Sequence, residues 1–287
     1  MRLPIILLSC SLAACAPSAD RSAVPGAAET VPAKATSAKA TSAKAAAEQA
    51  VNDAFLAKLF SATRTASLPQ ELAGELVLSA RTEGAVLAAE IQAALSGDPF
   101  LVRLVDKRTF LPADYVPADL VPLDGRSFVA GRAGMVLREA AVRSLEAMAA
   151  AARADGVTLV VSSAYRSFKY QQAVRARVEA ELGEAAADRE SARAGQSQHQ
   201  LGLAVDFGSI DDSFAKTEAA AWLAENAIRH GWSLSYPEGL ESVTGYRWES
   251  WHYRYLGTAA AALVEKRFRG VQQYALEFLA EWESGGQ

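Results

Sequence analysis

Apolar residues recur at helical spacing on both sides of a proline-containing segment. Residues 48–99 carry two such helical stretches, and Ser96–Pro99 ends the second of them because glycine and proline stop helices. Neither stretch holds a cluster of reactive side chains. We therefore expect a helical extension that packs on the domain after it. The following segment, 100–132, is expected to be loop-rich, since its prolines exclude a continuous helix.

The second half of the chain alternates irregularly between helical and strand patterns. An apolar stripe predicts a helix from Gly134 to Ala154, and β-branched residues predict a strand from Val157 to Ser163. The later predicted helices are Phe168–Leu182, Thr217–His230 and Thr258–Trp282 with an interruption near Gly270, and the later strands are Leu203–Phe207, Trp232–Tyr236 and part of Arg247–Tyr255. This order favours an α+β fold, with a small antiparallel sheet flanked by helices and an N-terminal helical extension, over a doubly wound parallel sheet.

The first residues have the pattern of an export signal. Residues 1–14 begin with a short positive region and continue with apolar and small residues, as secretory signals do. Leu12–Cys15 resembles a bacterial lipobox, which makes Cys15 the expected site of lipidation. Cys10 is a weaker candidate, and an ordinary signal peptide with an incidental cysteine is the alternative. We expect an exported lipoprotein that is anchored to a membrane and faces the periplasm or cell wall.

Residues 15–47 are of low complexity. A repeated Ala-Lys-Ala-Thr-Ser unit dominates them, and large apolar side chains are almost absent. Such a segment buries too little surface to offset the entropy of ordering, so a disordered tether is predicted. Cys10 and Cys15 are the only cysteines, so the domain over 100–287 is expected to be stable without a disulfide.

Composition and charge exclude several classes of protein. The 287 residues are 51% hydrophobic, with a formal net charge of −4, a mean hydropathy of +0.04 and a pI of about 5.6. These values suit one main globular domain, expected to be a monomer, and they give no basic face for a nucleic acid. After the opening segment, no apolar run reaches the roughly 18 residues that a membrane span needs.

The candidate chemistry lies in two short clusters that contain two of the three histidines. His199 stands seven residues before Asp206, and His252 stands three residues after Glu249. A catalytic zinc site takes three protein ligands and leaves one position for water, and a nearby glutamate can act as general base. The chain contains no His-Glu-x-x-His, and Gly195–His199 lacks the last glycine of a serine nucleophile elbow. Residue chemistry alone leaves a metal site and a chance spacing both open.

Four motifs, in this order and spacing, are together similar to the VanY-type D-alanyl-D-alanine carboxypeptidases. They are Ser162–Ser167, Ser197–Asp206, Gly231–Pro237 and Thr244–His252. The similarity extends from about Leu104 to near the C-terminus. It implies the small α+β fold that these zinc peptidases of peptidoglycan share with lysostaphin-type enzymes and the hedgehog signalling domain.

The resemblance also implies roles for individual residues. His199, Asp206 and His252 would bind one Zn²⁺, and Glu249 would be the catalytic carboxylate. Arg166 would stabilise the oxyanion. Substrate-binding roles are implied for Gln171, Ser197, Tyr165 and Tyr236, although for the two tyrosines packing beside the site is the alternative. Gln198 departs from the family, which often has glutamate there, so we expect altered charge near the metal without loss of activity.

The function that this resemblance implies is removal of the terminal D-alanine from peptidoglycan stem peptides. Two alternatives remain open at this point. L,D-carboxypeptidases that act on tetrapeptide stems share every catalytic motif, and a non-catalytic wall-binding module would need neither Glu249 nor Arg166. The intact catalytic residues disfavour the second alternative.

Overall fold

The computed structural model describes residues 33–285, with side chains at Lys44 and from residue 46 onward. Contacts divide the chain into two units, 1–47 and 48–287. The predicted signal over 1–14, the lipidation candidate Cys15 and the first part of the tether lie outside the described residues. None of the described helices is both long and apolar enough to cross a bilayer.

Nine helices and seven strands make up the described part of the chain. The helices are α1 (Ala33–Thr65), α2 (Gln70–Leu95), α3 (Glu139–Ala154), α4 (Phe168–Leu182), α5 (Glu184–Glu190), α6 (Glu218–Asn226), α7 (Glu241–Thr244), α8 (Thr258–Arg267) and α9 (Gln272–Ser284). The strands are β1 (Leu120–Pro122), β2 (Val129–Ala130), β3 (Val136–Arg138), β4 (Val160–Ser163), β5 (Ala204–Phe207), β6 (Trp232–Leu234) and β7 (His252–Tyr255). Short 3₁₀ turns cover Gln198–Leu201, Phe214–Lys216 and Ala227–His230.

A five-stranded sheet is the centre of the domain. Its strand order is β2-β4-β5-β7-β6. The three pairs β4–β5, β5–β7 and β6–β7 are antiparallel, whereas the edge pair β2–β4 is parallel. A separate antiparallel pair joins β1 to β3. The α+β class with a small, mainly antiparallel sheet is therefore confirmed.

One hydrophobic core lies against this sheet. It joins the inner face of α3 to buried residues of β4, β5 and β7, and it includes Leu145, Met148, Val161 and Phe207. All the residues of β5 are buried. The predicted apolar stripe of α3 is thus confirmed, and it fixes the strands that carry the candidate ligands.

A second hydrophobic core, the helical core, joins the extension to the C-terminal helices. Leu59 of α1, Leu87 and Ile91 of α2, Leu263 of α8 and Phe278 of α9 are all almost fully buried in it. Ion pairs add to the contact, since Arg267 binds Glu90 and Glu83 at 2.6 Å each. The prediction that the extension packs on the following domain is confirmed for the described residues.

The structure differs from the predicted elements in three places. α1 begins at Ala33, inside the segment predicted to be a disordered tether. The difference follows from the alanine-rich repeat, because alanine favours a helix even where no surface is buried. Residues 136–138 form β3 instead of the start of α3, since their backbone pairs with β1. The helix predicted to end at His230 ends at Asn226 and continues as a 3₁₀ turn.

Candidate metal centre and active site

Asp206 and His252 are brought together by strand register. They are direct partners on the adjacent antiparallel strands β5 and β7. Side chains at paired positions lie on the same face of a sheet, with Cβ atoms about 5 Å apart. The pairing therefore places an aspartate and a histidine side by side, although they are distant in sequence.

His199 reaches the same point from the 3₁₀ turn that leads into β5. The hydroxyl of Ser197 caps this turn by accepting a hydrogen bond from the His199 amide at 3.3 Å. Gly202 ends it in the left-handed region, with φ of 66°. A Cβ at Gly202 would lie 2.9 Å from Leu120 Cδ2, so glycine is needed both for the backbone conformation and for the space.

The three predicted ligands lie close together, yet two of their ligand atoms lack a hydrogen-bond partner in the described part of the chain. Nε2 of His199 lies 3.2 Å from Oδ2 of Asp206, and Nδ1 of His252 lies 3.1 Å from Oδ1 of Asp206. Nevertheless, His199 Nε2 and Asp206 Oδ1 are buried with no hydrogen-bond partner among the described residues. Ligands about 2.0–2.2 Å from a tetrahedral zinc are separated by a little over 3 Å. The two nitrogens and one carboxylate oxygen, all within 4.8 Å of one another, therefore fit a zinc ion.

Each imidazole is oriented by a hydrogen bond on its other nitrogen. Nδ1 of His199 lies 2.7 Å from the carbonyl oxygen of Ala164. Nε2 of His252 lies 3.4 Å from Oε1 of Gln198. An N–H that donates to these acceptors leaves His199 Nε2 and His252 Nδ1 with lone pairs directed at Asp206, which is the tautomer that a metal ligand requires.

A buried network of neutral groups stands behind His252. Oε1 of Gln198 accepts a hydrogen bond from the Ser235 hydroxyl at 2.7 Å, and Nε2 of Gln198 donates to Oε1 of Gln272 at 3.2 Å. Gln272 in turn donates to the carbonyl oxygen of Ser233 at 3.1 Å. Gln198 is therefore held with its oxygen toward His252, which accounts for a neutral amide where the family often has glutamate.

Glu249 lies beside the ligands at the end of the loop before β7. Its backbone N–H donates to the carbonyl oxygen of Tyr236 at 3.0 Å, and its Oε2 is 3.4 Å from His252 Nδ1. Burial raises the pKa of Glu249 above its ordinary value, and His252 only partly offsets that effect. A carboxylate with a raised pKa both accepts and returns a proton more readily near neutral pH.

The histidine pair has opposite pKa shifts. Burial lowers the pKa of His199 to about 4, so this ring is neutral at neutral pH. Burial also acts to lower the pKa of His252, but Asp206 and Glu249 outweigh it and raise the pKa to about 9. Since a ligating histidine must be neutral, metal binding at neutral pH would release this proton.

Arg166 is fixed in the turn after β4. Its Nη2 lies 3.1 Å from Oδ2 of Asp206, and its Nη1 donates to Oε1 of Gln171 at 3.1 Å. Gln171 is buried, and its Nε2 donates to the carbonyl oxygen of Ala192 at 2.8 Å. Because both ends of the Gln171 amide are engaged, this residue orients Arg166; it also lines the cavity beside the ligands, and its role in substrate binding stays a prediction.

A small cavity of about 40 Å³ lies next to the ligands, and some of the remaining predicted residues line it. Ser197 and Tyr236 line it, whereas Tyr165 is absent from its lining. Tyr246, which sequence reasoning left without a role, also lines it; its ring centroid is 4.9 Å from that of Tyr236. The Tyr246 hydroxyl is buried without a hydrogen-bond partner among the described residues, so it is available to a ligand.

Comparison with known proteins identifies the family. A family model described as VanY, D-alanyl-D-alanine carboxypeptidase, matches residues 134–258. The chain is 33% identical over 181 residues to the putative carboxypeptidase YodJ of Bacillus subtilis (strain 168). That match spans 61% of this chain and 66% of the relative.

Solved structures show the same relationship. A VanY D,D-pentapeptidase from a VanB-type vancomycin resistance cassette, a variant solved with Zn(II), is 33% identical, with a TM-score of 0.51 over 60% of this chain and 96% of that one. The LdcB LD-carboxypeptidase is 30% identical, with a TM-score of 0.54 over 60% of this chain and 86% of that one. The family-model match over residues 134–258 contains all four motifs. The chain therefore belongs to the VanY-type D-alanyl-D-alanine carboxypeptidase family.

Proposed function

We propose that this protein is a zinc-dependent D-alanyl-D-alanine carboxypeptidase that removes the terminal D-alanine from peptidoglycan stem peptides, with one zinc ion per chain. The observation that supports it best is that the possible ligand atoms of His199, Asp206 and His252 lie close together, and that two of them, His199 Nε2 and Asp206 Oδ1, have no hydrogen-bond partner among the described residues. Arg166 contacts Asp206, and Glu249 contacts His252, so both charged side chains lie beside the ligands. A module that only bound the cell wall would need neither of these two charged groups.

The residues around the ligands divide the work of peptide hydrolysis. A zinc ion held there would polarise the scissile carbonyl and lower the pKa of a water molecule. Glu249 takes the proton of the attacking water and gives it to the leaving amine. Arg166 donates to the carbonyl oxygen as negative charge develops on it, and Gln171 keeps the guanidinium in place for that purpose. Ser197, Tyr236 and Tyr246 form the wall against which the terminal residue is bound.

A second candidate is L,D-carboxypeptidase activity on tetrapeptide stems. The likeness to the LdcB LD-carboxypeptidase, at a TM-score of 0.54, favours it. The same metal ligands, base and arginine could serve both reactions. The two reactions differ in the configuration, D or L, of the residue that contributes the scissile carbonyl. The D,D activity ranks first because the family model and the zinc-containing neighbour are of that kind.

Mass spectrometry of muropeptides separates the two candidates. We expect the zinc-loaded protein to convert pentapeptide stems to tetrapeptides and to leave tetrapeptides intact. Conversion of tetrapeptides to tripeptides would instead establish the L,D activity. A zinc-loaded, folded protein that changes neither stem would contradict both proposals and favour a binding module.

We also propose that the protein is an exported lipoprotein, on the strength of residues 1–14 and Cys15. In cells fed labelled palmitate, Cys15→Ala is expected to abolish the label on the protein and to release it from the membrane fraction, because no thiol would remain at the cleavage site. Cys10→Ala is the matched control and should remain labelled. Full labelling of the Cys15→Ala protein would show that the lipid is not on Cys15.

A further inference from the structure

A cleft of about 340 Å³ leads outward from Arg166, Asp206 and Glu249. The part of its lining that contains none of the residues placed in the reaction centre is here called the outer cleft and includes Arg132, Tyr170, Val174, Arg177, Val178, Glu181, Leu182 and Ile210. None of these residues has a role in the chemistry described above. The outer cleft is continuous with the reaction centre, so a substrate longer than a dipeptide would extend into it.

One wall of the outer cleft is a single face of α4. Tyr170, Val174, Arg177, Val178 and Glu181 follow one another at intervals of four, three, one and three residues, which places them on one side of a helix. Gln171 and Arg175, the two buried residues of α4, lie on an adjacent side of the helix and are not part of this wall. The wall is therefore free to contact a ligand.

Large apolar side chains are exposed along the outer cleft. Tyr170 is 49% exposed, Leu182 53% and Ile210 52%, and all three line it. Exposed apolar groups gathered along a concave surface are typical of a binding groove. These apolar groups suit the aliphatic parts of peptide side chains, whereas the charged groups beside them suit the charged ends of those side chains.

The charges of the cleft are partly used by the protein itself. Arg247 binds Glu190 at 2.6 Å and Asp212 at 2.5 Å, and Arg166 is held by Asp206. By contrast, the side chains of Arg132, Arg177 and Glu181 make no ion pair or hydrogen bond to any residue that the structure describes. The outer cleft thus has two unpaired cations against one unpaired anion.

Arg177 and the reaction centre line one cleft, which the upstream residues of a bound peptide would occupy. Arg177 is seven residues beyond Tyr170 on α4, a distance of about 10 Å along the helix axis. An extended peptide spans about 3.5 Å per residue. Arg177 and Arg132 line the same cleft as Asp206 and Glu249, so a peptide that extends along this cleft from the reaction centre would pass both cations.

We propose that the outer cleft binds a carboxylate of the stem peptide upstream of the scissile bond, with Arg177 and Arg132 as the binding cations. The inference rests on the proposed function. Two groups could provide this carboxylate: the side chain of diaminopimelate at the third stem position, or the α-carboxylate of the γ-linked D-glutamate at the second. Lysine in place of diaminopimelate removes the first, and amidation of the glutamate removes the second. Glu181 suits the side-chain ammonium that lysine and diaminopimelate share.

The test uses four pentapeptides that end in D-Ala-D-Ala, with diaminopimelate or lysine at the third position and D-glutamate or D-isoglutamine at the second. We expect kcat/KM to fall about three- to tenfold when the recognised carboxylate is missing, mainly through KM, as for a solvent-exposed charge contact. Arg177→Gln and Arg132→Gln should abolish the difference between substrates. Lys169→Gln, which removes a cation from α4 outside the cleft lining, should retain it.

Binding measured separately keeps this inference distinct from the proposed function. Calorimetry on the zinc-loaded Glu249→Gln protein reports affinity for the same peptides without turnover. If the wild-type protein hydrolyses none of them, the proposed function fails, while weaker binding of the carboxylate-free peptides still supports the outer cleft. Equal affinity and equal kcat/KM for all four peptides, unchanged in Arg177→Gln, would overturn the inference.

Discussion

Glu249→Gln is expected to bind zinc as the wild type does and to lose turnover by about a hundred- to ten-thousandfold, the usual contribution of a positioned general base. Glu249 is not one of the three converging ligands, and its carboxylate contacts His252 at 3.4 Å without belonging to the ligand set. Glutamine keeps the size of the side chain but cannot accept the proton of water. Zinc content by elemental analysis and kcat on a D-Ala-D-Ala peptide measure the two effects.

The control for this change is Glu238→Gln, the same substitution at an exposed position in the loop before α7. It should leave both zinc content and kcat unchanged. If Glu249→Gln retained wild-type kcat, Glu249 would not be the base. If it lost its zinc, the residue would have to be counted among the ligands.

His252→Ala should lower the affinity for zinc by at least about a hundredfold, because it removes one of three protein ligands, and even outer partners of ligands are worth 10–100-fold. It also removes the imidazole that contacts the carboxylates of Asp206 and Glu249. Competition with a chromogenic chelator measures the affinity directly, and circular dichroism shows whether the variant is folded.

His230→Ala is the matched control, since His230 is the one histidine outside the site; its ring packs near Trp222 with centroids 6.2 Å apart. This variant should keep wild-type zinc affinity. Unchanged zinc affinity in a folded His252→Ala protein would show that His252 is not a ligand.

The ligand set was predicted from the resemblance of four motifs to a known family, because residue chemistry alone leaves a metal site and a chance spacing both open. Three histidines in 287 residues are few, and His199, Asp206, His252 and Glu249 occur in motifs of fixed spacing. The strand register that pairs Asp206 with His252 is a contact between distant residues, and the buried strands β5 and β7 carry no alternating pattern that specifies it. Arg166 was likewise found from its motif, directly after a strand.

Secondary structure was predicted best where capping residues mark both ends of an element. α4 has its predicted limits because Ser167 caps its start, with its hydroxyl accepting from the Tyr170 amide, and Gly183 ends it. β3 was missed because Val136 and Leu137 also fit the apolar spacing of the helix after them. Only the pairing of β3 with β1, a contact between distant residues, decides in favour of a strand.

The residues that orient the site were the hardest to predict. Gln198 and Gln272 are 74 residues apart, and neither is a reactive group. The hydrogen bonds by which the Gln171 amide joins Arg166 to Ala192 likewise have no signal in the sequence. Tyr246 lies within a recognised motif, so its place in the sequence was the one signal available for it. Amide orientation depends on the three-dimensional neighbours, which a single sequence does not specify.

Gln272 is also the first residue of α9, and the buried apolar residues of that helix belong to the helical core shared with α1, α2 and α8. One side chain thus joins the orientation of His252 to the docking of the N-terminal extension. Two equilibria that share a group are thermodynamically linked, and each changes the other by the same free energy. We therefore expect the extension, which carries none of the catalytic residues, to contribute to metal affinity, and a bound metal to favour the docked extension in return.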